Sequence, residues 1–105
     1  MTPFDDPEST SRASAGDEGR RWIVSGRVQG VGFRHHVWMA AQALSVVGDV
    51  RNLADGRVEI RARGPAAALE RLLEAVRSGP RWARVEAIVV APLGAESRFE
   101  EFSVR

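Results

Sequence analysis

Along this chain, segments in which apolar residues recur with the period of a helix alternate with segments that have the period of a strand. The order of these segments restricts the fold more than any other feature of the sequence. Apolar residues recur every three or four positions in segments 33–45 and 65–77, which predicts two amphipathic helices. Strands with one buried face are predicted at 21–28, 46–53, 57–63 and 84–90, with a short fifth strand at 102–105. The resulting order predicts an α+β protein of split βαβ architecture, in which both helices cover one face of an antiparallel sheet.

Composition separates residues 1–19 from the remainder of the chain. This segment is rich in Ser, Pro, Gly, Asp and Ala and shows no apolar periodicity, which predicts a disordered tail. Its removal is therefore expected to leave folding and turnover nearly intact. Residues 20–105 are expected to form one domain, because a chain of 105 residues with 44% hydrophobic content can bury one core.

Residue usage excludes several kinds of chemistry. The chain has no cysteine, and all 15 of its basic residues are arginine. A thiolate nucleophile, a lysine Schiff base and a lysine-containing P-loop are therefore excluded. No apolar stretch approaches the roughly 20 residues that span a bilayer, and no secretory signal is evident, so we expect a soluble cytoplasmic protein. The arginine surplus of residues 20–105 suits an anionic ligand, although alone it is more typical of a solvated surface.

The connection between the first strand and the first helix is the strongest candidate for a binding site. Gly30 and Gly32 permit backbone conformations that turn successive N–H groups into one concavity, at the positive end of a helix dipole. Arg34, in the first helical turn, can add a bidentate guanidinium. A Gly-x-Gly turn by itself is more typical of a tight strand-to-helix connection. The predicted phosphate-binding residues are Gln29, Gly30, Val31, Gly32, Phe33 and Arg34.

Two longer strings are more specific. Residues 26–34 have the sequence Gly-Arg-Val-Gln-Gly-Val-Gly-Phe-Arg, and residues 48–56 have Gly-Asp-Val-Arg-Asn-Leu-Ala-Asp-Gly. Together they resemble the signature of the acylphosphatase family, and the likeness extends from about Arg21 to Arg105. The resemblance implies a ferredoxin-like βαββαβ sandwich that hydrolyses acyl phosphates, the mixed anhydrides of a carboxylate and phosphate, without a cofactor. By position, Arg34 matches the family's phosphate-binding arginine and Asn52 the asparagine that orients the attacking water.

The chemistry of an acyl phosphate is compatible with these few groups. Its leaving group is a carboxylate, which is stable near neutral pH and needs no general acid. Phosphoryl transfer then requires mainly charge stabilisation and an in-line water. We therefore expect a metal-independent monomer that acts on a small acyl phosphate and binds no nucleic acid. His35 and His36, adjacent on the helix, are expected to be surface residues, since helical metal ligands are spaced three or four apart.

Two other functions remain open at this point. A non-enzymatic RNA-binding module can share this fold and a basic surface, but the third strand lacks the aromatic residues that stack bases. A regulatory domain could bind phosphate or carbamoyl phosphate without turnover, although it would not need both Arg34 and Asn52.

Two positions depart from the family pattern. Asp49 stands where tryptophan is usual, so Asp49→Trp is expected to stabilise the fold by restoring apolar packing. Ser45 stands where glycine is frequent, at a point where a left-handed residue commonly closes a helix.

Overall fold

The computed structural model describes residues 17–105 and contains five strands and two helices. In chain order these are β1 (Asp17–Arg27), α1 (Phe33–Leu44), β2 (Val47–Asn52), β3 (Val58–Pro65), α2 (Ala66–Ser78), β4 (Arg84–Pro92) and β5 (Phe102–Val104). The predicted α+β order is confirmed, and most boundaries agree within two residues. Neither helix of this described part is long and apolar enough to cross a membrane.

The start of β1 corrects the predicted extent of the tail. Residues 1–16 lie outside the described residues, but Asp17, Glu18 and Gly19 pair with Pro65, Gly64 and Arg63 of β3. The predicted tail therefore included three residues that belong to β1. Composition gave no signal here because main-chain hydrogen bonds, rather than apolar side chains, join these residues to the sheet.

The five strands form one sheet in the order β4-β1-β3-β2-β5. The neighbouring pairs among β1 to β4 are antiparallel, whereas β5 runs parallel to β2. An antiparallel sheet was predicted, but the parallel pairing of β5 with β2 makes the sheet mixed. As a consequence, the ends of β1, β2 and β5 lie at the same end of the sheet as the start of β3. This end carries the loop that follows β1 and the hairpin that joins β2 to β3.

Both helices pack on one face of the sheet and enclose the hydrophobic core. Their buried stripes are Phe33, Val37 and Ala41 in α1 and Leu69, Leu72 and Val76 in α2. The apolar residues of the strands complete this core, among them Trp22, Val24, Val50, Val58, Ile60, Ala62 and Phe102. Trp82 lies outside this core and is 69% exposed.

The opposite face carries no helix and is held by ion pairs. Asp49 is 4% exposed and accepts hydrogen bonds from Arg61 Nε at 2.9 Å and Arg61 Nη2 at 2.5 Å. Arg105 Nη1 donates to the same carboxylate at 3.3 Å. Asp49, one of the two positions that depart from the family pattern, is thus a buried carboxylate with arginine partners. We no longer expect Asp49→Trp to stabilise the fold, because this substitution would leave Arg61 without its partner.

Candidate functional site

The loop between β1 and α1 has the backbone geometry of an open cradle. Gly30 and Gly32 adopt left-handed conformations with φ of 74° and 80°. A Cβ atom built on either residue would meet nothing within 4 Å. Glycine is therefore required here for its conformation, and the space beside it is open to a ligand.

The first turn of α1 leaves its donors available. Gly32 is the N-cap, and no side chain caps this end of the helix. The first main-chain hydrogen bond runs from His36 N to Gly32 O at 3.0 Å. The N–H groups of Phe33, Arg34 and His35 therefore have no partner within the helix. With the positive end of the helix dipole, they favour an anion at this point.

Arg34 lies over the same space. Its Nη1 atom donates to the main-chain oxygen of Arg105 at 2.6 Å, which anchors the guanidinium beside β5. A guanidinium has five donors, so this contact leaves several for a ligand. The pocket below it has a volume of about 200 Å³ and is lined by Val28, Gly30, Gly32, Phe33, Arg34, His35 and Val104.

The predicted phosphate-binding residues divide into two groups. Gly30, Gly32, Phe33 and Arg34 line the pocket, whereas Gln29 and Val31 are not among its lining residues. Phe33 is 1% exposed and its ring belongs to the core, so it can offer a ligand only its main chain. Gln29 directs its side-chain amide to the β2–β3 hairpin, where Nε2 donates to Leu53 O at 2.8 Å and to Arg57 O at 2.9 Å.

Asn52 is the exposed last residue of β2 and is not among the residues that line the pocket. Val104, which lines the pocket, is in register with Val50, two residues before Asn52. Leu53, the residue after Asn52, is held by Gln29. Strand register also places Asn52 on the face of the sheet opposite to Asp49, because Asn52 pairs with Val58 while Asp49 pairs with Arg61.

Sequence reasoning missed three residues of the site. His35 lines the pocket and stacks on Trp38 with ring centroids 5.7 Å apart, and its position directly after Arg34 was the available signal. Val104 and Arg105 join the site through the parallel pairing of β5 with β2, for which no local pattern exists.

His36 was expected at the surface, but its ring connects the two helices. It is half-buried, and Nε2 lies 3.0 Å from Ala75 O. Because a carbonyl oxygen only accepts, this nitrogen is the protonated one.

Within residues 17–105, no three side chains of His, Cys, Asp or Glu are grouped to hold a metal ion. The arrangement can therefore bind a small tetrahedral anion through main-chain donors and one guanidinium.

Comparison with known proteins identifies close relatives. A family model described as Acylphosphatase matches residues 20–104. An acylphosphatase of Salinibacter ruber is 52% identical over 82 residues, which is 78% of this chain and 86% of that protein. The crystal structure of acylphosphatase from Bacillus subtilis superposes with a TM-score of 0.79 at 44% identity, covering 83% of this chain and 97% of that one. An acylphosphatase structure from Coxiella burnetii gives 0.83 at 33% identity, covering 90% and 99%.

Proposed function

The chain belongs to the acylphosphatase family and hydrolyses acyl phosphates, and from this premise we propose which residues carry the reaction. The phosphoryl group binds in loop 29–34 under Arg34, and Asn52 holds the attacking water. One observation carries the proposal: an uncapped helix N-terminus, two left-handed glycines and the Arg34 guanidinium converge on one small pocket.

Charge stabilisation is the first task of this site. The phosphoryl oxygens accept hydrogen bonds from the N–H groups of the loop and the first turn of α1. Arg34 adds a charge-assisted, bidentate contact. In the transition state negative charge is spread over the three equatorial oxygens, so fixed donors arranged around them lower the barrier to transfer.

Delivery of the nucleophile is the second task. The leaving carboxylate departs as a stable anion, so no proton donor is needed on that side. On the opposite side, the Asn52 side-chain oxygen can accept a hydrogen bond from water and hold it in line with the bond that breaks. Water therefore supplies the fourth oxygen of the released phosphate, and its two protons leave with that phosphate as H₂PO₄⁻.

We also propose that catalysis needs no metal, nucleic acid or second copy of the chain. Arginine and amide donors can neutralise the phosphoryl group without a cation. A base-stacking platform on the helix-free face is not supported, because Glu59 and Arg61 of β3 are engaged there in ion pairs with Arg51 and Asp49.

Phosphate release from acetyl phosphate and benzoyl phosphate by the purified chain and two variants tests the proposal. Arg34→Ala should weaken inhibition by inorganic phosphate and lower kcat together, and Arg34→Lys should recover little, because a point charge cannot replace the planar fork. Asn52→Ala should lower kcat by on the order of 10², with phosphate inhibition unchanged. Asn52→Asp should be at least as damaging, because it places a negative charge beside an anionic substrate.

Three results would contradict the proposal. Near-normal kcat in folded Asn52→Ala would remove the water-positioning role. Activity lost to a chelator and restored by a divalent ion would show that a metal takes part. Tight phosphate binding by the wild-type chain without turnover of either substrate would favour a regulatory domain.

A further inference from the structure

The Gln29 side chain crosses from the phosphate loop to the β2–β3 hairpin. Its Nε2 atom lies 2.8 Å from Leu53 O and 2.9 Å from Arg57 O. Both partners are carbonyl oxygens, which only accept hydrogen bonds, so the amide must present its NH₂ group to them. Both N–H bonds of that group are used, one for each arm of the hairpin.

The hairpin is itself a closed unit. Leu53 N donates to Arg57 O at 2.7 Å, and Gly56 N donates to Leu53 O at 3.2 Å. The carbonyl of Arg57 therefore accepts from both Leu53 and Gln29. By gripping Leu53 and Arg57, Gln29 fixes the whole turn relative to the loop that precedes α1.

Asn52 depends on this turn for its place. It immediately precedes Leu53, and its side chain forms no hydrogen bond with another residue in the described part of the chain. Its amide is thus directed by its own main chain, which the pairing with Val58 holds on one side and the Gln29 contact on the other.

We infer that Gln29 is a positioning residue that holds Asn52, and with it the attacking water, in line with the phosphoryl group. This inference rests on the roles proposed above for Arg34 and Asn52. Phosphate is bound by Arg34 and the main-chain donors of the loop, so binding does not require the Gln29 contact. In-line attack does require the Gln29 contact, because a displacement of the attacking water by about 1 Å costs on the order of 10² in rate.

The test is the variant Gln29→Met, which keeps the length of the side chain and removes both donors. Its kcat for benzoyl phosphate should fall by on the order of 10-fold or more, whereas the inhibition constant of inorganic phosphate should change by less than about threefold. Gln42→Met makes the same chemical change at an exposed position of α1 and should leave both quantities within about twofold of wild type. Calorimetric titration with phosphate gives the fraction of each protein that is folded and can bind. Dividing the rate by that fraction keeps a loss of folded protein from being counted as a loss of kcat.

A double-mutant cycle with Asn52→Ala separates this inference from the proposed function. If Gln29 acts through Asn52, then Gln29→Met should lower kcat by less than about twofold in the Asn52→Ala background. An equal loss in both backgrounds, or phosphate inhibition weakened in proportion to kcat, would overturn the inference while the Asn52 role stands. Unchanged kcat in Gln29→Met would do the same. Full activity of Asn52→Ala itself would overturn both.

If Gln29→Met does not fold, Gln29→Asn takes its place. It retains the amide but is one methylene shorter, so it cannot reach both carbonyl oxygens, and the same pattern of kcat and inhibition is expected. Wild-type kcat in Gln29→Asn would then overturn the inference.

Discussion

At the scale of single residues, the sheet face without helices is held by two buried acids, each between two arginines. Asp49 pairs with Arg61 and Arg105, and Glu59, which is 3% exposed, pairs with Arg21 and Arg51 at 2.6 Å each. Burying a carboxylate is costly unless it is paired, so the value of each arginine lies mainly in avoiding an unpaired charge. The pKa of Arg61 is raised, mostly by its hydrogen bonds to Asp49.

Glu59 gives this network a pH dependence. Burial raises the pKa of its carboxyl, but hydrogen bonds from Arg21 and Arg51 outweigh burial, so the pKa lies below its ordinary value of 4.5. A lowered folded pKa means that the carboxylate stabilises the protein above about pH 4.5 and loses that effect as pH falls through the folded pKa. We expect Glu59→Gln to lower the free energy of unfolding at pH 7 by about 1–2 kcal/mol, since both arginines are half-exposed and screened.

Urea denaturation at pH 7 and pH 3.5 measures this effect. The difference between wild type and Glu59→Gln should narrow at the lower pH, because the carboxyl is protonated in the unfolded wild-type chain below about pH 4.5 and the stability gained from its charged form then falls. Glu86→Gln, at an exposed position of β4, is the matched control and should show no difference at either pH. An equal loss at both pH values would mean that altered packing, rather than charge, is responsible.

At the scale of elements, the helices and most strand boundaries were predictable because each has a complete local pattern. The candidate loop was predictable for the same reason, since Gly30, Gly32 and Arg34 stand at alternate positions of one short stretch. Three features were not: the parallel pairing of β5, the anchoring of Arg34 by Arg105, and the contact of Gln29 with the hairpin. Each joins residues far apart in the chain, at least 24 positions for Gln29 and 71 for Arg34, and no local pattern records such a contact.

The end of α1 was also predicted correctly. Ser45 adopts the left-handed conformation expected of the residue that closes this helix, with φ of 57°. Its N–H group donates to Gln42 O at 3.2 Å, which closes the helix. A left-handed residue that is not glycine costs on the order of 1–2 kcal/mol, of which the greater freedom of glycine in the unfolded chain offsets part.

Ser45→Gly should therefore raise the free energy of unfolding by about 0.5–1 kcal/mol, measured by urea denaturation. Ser78→Gly is the matched control at the end of α2, where φ is not positive, and should be neutral or destabilising by up to about 0.5 kcal/mol. Loss of stability in Ser45→Gly would show that the hydroxyl group contributes more than the strain costs.

At the scale of the whole molecule, the candidate site and the first residues of β1 lie at opposite ends of the sheet. β1 runs from Asp17 to Arg27, where the candidate loop begins. At about 3.3 Å per residue, the start of this strand is roughly 30 Å from the loop. Residues 17–19 therefore extend the pairing with β3 without approaching Arg34 or Asn52.

Two truncations test this separation and revise the boundary predicted from composition. Removal of residues 1–16 should leave kcat within about twofold and Tm within about 2 °C of the full chain, because the core and every proposed site residue lie in the part that remains. Removal of residues 1–19 also deletes three residue pairs between β1 and β3, which should cost about 1 kcal/mol and lower Tm by about 4–8 °C. The value of kcat should nevertheless be unchanged below the melting transition, since the lost pairs are remote from the loop. Equal Tm values for the two truncations would mean that the pairing of residues 17–19 adds no stability. A lower kcat in the folded shorter chain would mean that the start of β1 is coupled to the site across the sheet.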